Sequence, residues 1–152
     1  MDHIEQAKRN IEEGYSCSQA VLMAFAEELG LSTETAARVA AGFGGGMGRS
    51  GRTCGAVSGA LMVVGLVEGG TSAADKAAKE RTYAMARQVM EEFEARRGAL
   101  DCRELLGVDI STAEGLAQAR EHKLFAGCTR HVEEAARIAS DLIRGNSDKS
   151  DQ

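Results

Sequence analysis

Apolar residues recur at spacings of three and four along almost the whole chain, and strict apolar–polar alternation appears nowhere. That pattern predicts helices at about residues 2–13, 17–29, 32–41, 54–67, 72–97, 102–106, 112–125 and 128–144. Gly14, Gly30 and Gly98 stand where three of these helices must stop. On the longest, Ala74, Ala78, Met85, Val89 and Phe93 share one stripe. On the last, Val132, Ala135, Ala136, Ala139, Leu142 and Ile143 share another. Cys54 to Val67 is uncharged and reads as a helix buried on all sides, too short for the ~20 residues a bilayer requires. Only residues 42–53, rich in glycine, break the pattern. The expected fold is all-α: a compact single-domain bundle of about six to eight helices with one Gly-rich loop over residues 1–144, then a flexible tail over 145–152.

Composition agrees and narrows the function. Proline is absent and aromatics make up 4%, which disfavours a β-sandwich. With 152 residues the chain fits one domain. A net charge of −5 leaves no concentrated basic surface, so no nucleic-acid partner is expected. Residues 1–6 are polar, without a basic segment leading into an apolar one, so a cytoplasmic location without membrane insertion is the expectation. Ala- and Gly-rich helix faces make a homodimer compatible with the sequence.

Four cysteines carry the candidate chemistry. Cys17, Cys54, Cys102 and Cys128 are too widely spaced for a zinc finger or a local redox pair, so only the fold could bring them together. Each follows a residue able to cap a helix: Ser16, Thr53, Asp101 and Gly127. Ser16 with Gln19, and Asp101 with Glu104, have capping-box spacing. All four thiols therefore read as first residues of helices, where unpaired amides and the helix dipole favour thiolate. Arg52, Arg103 and Arg130 lie beside three of them. Apolar residues follow each cysteine at helical spacing, so all four are expected to point inward. Taken singly, each cysteine reads first as a small buried hydrophobe; four of four at capped helix starts favour the chemical reading.

Gly46 to Gly51 satisfies G-x-G-x-x-G, but a helix rather than a strand precedes it, which rejects a dinucleotide site. The loop instead offers tight turns and free amides near Cys54, with Gly48, Arg52 and Gly55 as candidate cofactor contacts. Gly55 and Gly59 also suit a close helix crossing. His131, one turn after Cys128, reads first as a surface or capping residue and second as a polar neighbour of the sulfurs. His3 and His122 read as solvated.

The segments around the cysteines have a further significance. Cys17 in Cys-Ser-Gln-Ala-Val-Leu, the run Gly-Phe-Gly-Gly-Gly-Met-Gly-Arg leading to Cys54-Gly-Ala-Val-Ser-Gly59, Cys102 in Asp-Cys-Arg-Glu-Leu-Leu-Gly, and Cys128 resemble the C_GCAxxG_C_C family of redox-active proteins. The family label writes Gly-Cys-Ala where this chain reads Cys-Gly-Ala. The resemblance implies a small redox protein defined by these four residues. Related modules in split-Soret-type cytochromes are associated with an iron–sulfur centre, whereas this chain lacks the Cys-x-x-Cys-His of a covalent haem.

Three expectations follow, in order. The four cysteines bind an iron–sulfur cluster for electron transfer, zinc being compatible but redox-inert. Alternatively they work without metal as a thiol–disulfide protein, themselves the catalytic residues. Third, they are inert core of a helical binding module. The first two imply an unidentified electron-transfer or thiol partner, and the sequence leaves open whether the protein is an enzyme.

Overall fold

The computed structural model describes residues 2–150, with side chains as far as Gly145. Eight α-helices form it: α1 (His3–Glu12), α2 (Cys17–Ala26), α3 (Thr33–Ala40), α4 (Gly55–Glu68), α5 (Lys76–Arg97), α6 (Cys102–Leu106), α7 (Ala113–Glu121) and α8 (Cys128–Ser150). Among the described residues there is no sheet, only an isolated antiparallel bridge between Thr53 and Asp101. No described helix is long and apolar enough to cross a membrane.

The helix starts follow from side-chain capping. Asp2, Ser32, Asp75 and Thr112 each accept a hydrogen bond from a first-turn amide, and Ser16 and Gln19 cap reciprocally. Capping also explains a shifted boundary: Asp75 takes the amide of Ala78, so α5 starts at Lys76 and Ala74 lies outside it. The helix expected over 112–125 breaks where Lys123 adopts a left-handed φ of 54°. A 3₁₀ turn, Leu124–Gly127, then leads straight into α8. That last helix continues past residue 144 to Ser150, and most of the tail expected to be flexible lies outside the residues whose side chains are described.

α2 is the central element, packed against α1, α3, α4 and α8. Its crossing with α4 is close because Gly55 and Gly59 have no side chain. A Cβ at Gly59 would stand 2.7 Å from the Ser18 carbonyl oxygen, and one at Gly55 3.0 Å from the Ser18 amide. Two buried polar side chains beside α2 are satisfied: Ser18 Oγ donates to the Ala40 carbonyl at 2.8 Å, and Asn10 Nδ2 to that of Ala20 at 3.0 Å.

The core has two parts. A large cluster joins α1–α5 and α8 around Leu22, Phe25, Val57, Val89, Phe93 and Val132. A small one, Cys102, Ile110 and Ala119, lies under the segment after α5. A cavity lies along the seam between them.

Candidate functional site

Cys17, Cys54, Cys102 and Cys128 all line one cavity of about 710 Å³. Leu105 from the large cluster and Leu106 and Ile110 from the small one form its apolar walls. The cysteines thus line one cavity from four stretches of chain. Cys54 and Cys102 are buried, while Cys17 and Cys128 are half-buried.

Local structure delivers the four in different ways. Cys17 is the first residue of α2, behind the Ser16–Gln19 box, as expected. Cys54 is not inside a helix but is itself the cap residue of α4, because Thr53 is drawn into the bridge with Asp101. The same bridge corrects the expected acidic box: Asp101 precedes α6 but its side chain makes no cap bond. Around it the Cys54 amide donates to the Leu100 carbonyl at 2.7 Å, the Cys102 amide to Arg52 at 2.6 Å, and the Arg103 amide to Gly51 at 2.9 Å. This short antiparallel pairing fixes Cys54 and Cys102 relative to each other. Cys128 opens α8, but the preceding 3₁₀ turn already supplies Phe125 as acceptor for its amide.

The glycine loop contributes a left-handed turn. From Gly45 to Arg49, five consecutive residues have φ between 62° and 70°. For Met47 and Arg49 this costs about 1–2 kcal/mol each. Gly46 sits where nothing larger fits: a Cβ there would stand 2.6 Å from the backbone of Arg52 and 2.8 Å from Cys102 Cβ. The turn therefore packs directly on one of the cysteines.

Of the residues expected to touch a cofactor, Gly48 and Gly55 line the cavity. Arg52 does not; its side chain is exposed and only its carbonyl serves the site, through Cys102. Arg103 also points away, towards Asp109 Oδ1 at 3.5 Å and the Ser50 carbonyl. Arg130 lines a neighbouring cavity. The cations on this wall are Arg49 and Arg120, which sequence proximity to cysteine did not reveal, and no carboxylate lines it.

The expectation of four ionised thiols is overturned in the metal-free protein. Burial pushes the Cys54 thiol up to about 12, against partial relief from the amides of Ala56 and Val57. Burial likewise raises Cys102 to about 11, with the negative charges at Cys128 and Asp101 adding to it. Cys17 is raised well above the ordinary range by the adjoining Cys128 thiol first and by burial second. Only Cys128 is lowered, because the Cys17 thiol donates to it. Desolvation is the largest cause at Cys54 and Cys102, and the neighbouring thiol is the largest at Cys17 and Cys128.

His131 is buried rather than on the surface, 8% exposed, and lines the cavity with the cysteines. Arg97 Nε donates to its Nδ1 at 3.2 Å, and burial followed by the Arg97 charge holds its pKa down, so the ring is neutral at neutral pH. Its place one turn from Cys128 was the available sequence signal. His3, by contrast with its solvated reading, stacks on Phe25 and pairs with Glu28 at 2.9 Å. Among the described residues, no three His, Cys, Asp or Glu side chains stand close enough to hold a single metal ion.

A family model described as "Putative redox-active protein (C_GCAxxG_C_C)" matches residues 15–142, nearly the whole described chain and all four cysteines. The chain belongs to this family. No curated protein and no solved structure matches it.

Proposed function

We propose that the four cysteines of this C_GCAxxG_C_C protein act together as one redox centre, holding an iron–sulfur cluster that transfers electrons. The observation that carries this reading is the common cavity of Cys17, Cys54, Cys102 and Cys128, lined by Arg49 and Arg120 and by no carboxylate. Number and kind of donor suit a cluster. A lone zinc suits them less: bonds of about 2.3 Å would need the sulfurs gathered around one point, and no three ligand side chains are so gathered. When bound, a cluster supplies one-electron chemistry at a potential set by charge, hydrogen bonds and burial.

The chain's own residues would prepare such a centre. Raised thiols stay protonated without metal, so four negative charges are not forced into one apolar cavity, and metal binding then releases protons. Arg49 and Arg120 offset the charge of the bound thiolates, and the walls of Leu105, Leu106 and Ile110 limit water.

A second reading is favoured by the half-buried pair Cys17 and Cys128, which share the cavity and shift each other's pKa in opposite directions. The Cys128 thiolate would attack a partner's disulfide, expelling one partner sulfur as thiolate. Cys17, losing its proton, would then attack the mixed disulfide, leaving a Cys17–Cys128 disulfide and a partner dithiol. Two electrons pass to the partner and protons balance through solvent.

Anaerobic purification followed by iron and sulfide analysis and visible spectroscopy separates the two. Iron, acid-labile sulfide and charge-transfer bands are expected. A colourless protein that takes up neither under anaerobic reconstitution, yet reversibly loses two thiols on oxidation, overturns the cluster in favour of the disulfide.

A further inference from the structure

Next to the cysteine cavity lies a second, more open one of about 630 Å³, and His131 and Leu105 belong to the walls of both. Its polar lining consists of Arg97, Arg130, His131 and Glu104. Neither Arg97 nor Arg130 is paired with a carboxylate among the described residues. Arg97 spends Nε on His131 Nδ1, which leaves both of its terminal nitrogens as donors.

That same bond fixes the histidine. A guanidinium only donates, so Nδ1 accepts and the ring proton sits on Nε2. Nε2 makes no hydrogen bond among the described residues. It is not sealed in protein either, because Ser58 Oγ is the one buried side-chain oxygen or nitrogen there without a partner. The ring, more than nine-tenths buried, therefore keeps a donor open to space in the wall that the two cavities share. The outer lining thus presents two planar cationic forks opposed by the single carboxylate of Glu104.

We propose that this outer cavity binds a small oxyanion, its oxygens held by Arg97 and Arg130, with His131 as the wall shared with the cysteines. Planar guanidinium forks match carboxylate and tetrahedral oxyanions in geometry as well as charge. The site goes beyond the redox reading and does not need it, since binding there is independent of bound iron.

Calorimetric titration of the full-length protein with acetate, phosphate and sulfate, at ionic strength held constant with chloride, tests this. Acetate against the other two distinguishes a carboxylate from a tetrahedral ligand. At least one salt is expected to give a saturable isotherm. Arg130→Gln, a change at an exposed side chain, should weaken it about ten-fold, the worth of one charged hydrogen-bonding partner. Glu104→Gln should tighten it by about three-fold, and Arg103→Gln, outside the cavity, should leave it unchanged. Heats no different from chloride for all three salts overturn the proposal. So does a saturable isotherm that Arg130→Gln leaves intact or that Arg103→Gln weakens equally.

Discussion

Cys54 and Cys102 are held by main chain, whereas Cys17 and Cys128 are held by the helices they begin. For the first pair, amides of Cys54, Cys102 and Arg103 bond across to Leu100, Arg52 and Gly51, and the left-handed turn at Gly46 packs on Cys102. For the second pair there is no such splint. Cys17 begins the central helix and Cys128 the last, and no main-chain pairing ties the two. A rigid pair and an adjustable pair face one cavity. The difference teaches where each redox reading draws its support: a cluster needs both pairs, and a reversible disulfide needs only the adjustable one.

Substitution of single cysteines breaks the comparison most sharply. If both pairs ligate, Cys54→Ser and Cys102→Ser should remove most bound iron and colour, as should Cys17→Ser and Cys128→Ser. If the adjustable pair alone is active, Cys54→Ser and Cys102→Ser leave reversible two-thiol oxidation intact while the other two abolish it. Iron analysis together with thiol titration on the four variants decides.

The next effect concerns the splint. Ala at Gly46 would be both left-handed and jammed against Arg52 and Cys102, so Gly46→Ala should destabilise by about 3 kcal/mol. Gly48 shares the positive φ but has open space around it, and Gly48→Ala should cost about 1 kcal/mol. Urea unfolding measures both. Equal losses would mean that the contact with Cys102 contributes nothing.

The contrast between these glycines shows what was legible in the sequence. Capping residues, helix-stopping glycines and the Gly55–Gly59 crossing are local or periodic signals, so all eight helices were visible, four of them within one residue of their observed bounds. The Thr53–Asp101 bridge is not: it joins segments far apart in sequence, and it turned Thr53 from an apparent cap into a pairing residue. The cysteines themselves were readable as a set, through the family motifs. Their protonation was not, because the dipole argument is local while burial by Leu105, Leu106 and Ile110 is a product of the finished fold. For the same reason Arg52, Arg103 and Arg130 stood out by adjacency in the chain, and Arg49 and Arg120, placed by tertiary packing, did not.

Titration sharpens the comparison further. In the metal-free protein Cys128 should react first with a thiol reagent near neutral pH, ahead of Cys17, Cys54 and Cys102. Cys17→Ala should slow Cys128 at a given pH, since burial then acts on it without the donor that lowers it. The rigid pair has a stability consequence of definite sign. Cys54 and Cys102 titrate higher in the folded chain than in the unfolded one, so the unfolded chain loses protons first as pH rises. Stability is intact below about 9 and falls as pH climbs towards about 11 and 12. Cys54→Ala should flatten that alkaline decline most, and Cys128→Ala less, by removing a charge that adds to the rise at Cys54 and Cys102.

The smallest effect lies at the acid end, on the side of the adjustable pair. Burial, then the Arg97 charge, lowers His131 below its ordinary value. Unfolding frees the ring to take a proton near 6.5, so the unfolded state binds more protons there and stability declines as pH falls through that value. His131→Gln removes the titration, and urea midpoints of this variant should fall less between neutral and mildly acidic pH than those of the parent. Arg97→Gln should act in the same direction but less, because it removes the charge and leaves the burial. The ordering follows from the causes: desolvation is the larger and the guanidinium the smaller. A variant in which Arg97→Gln flattened the acid slope as fully as His131→Gln would assign the effect to the charge, and would make the wall between the two cavities an electrostatic element before a packed one.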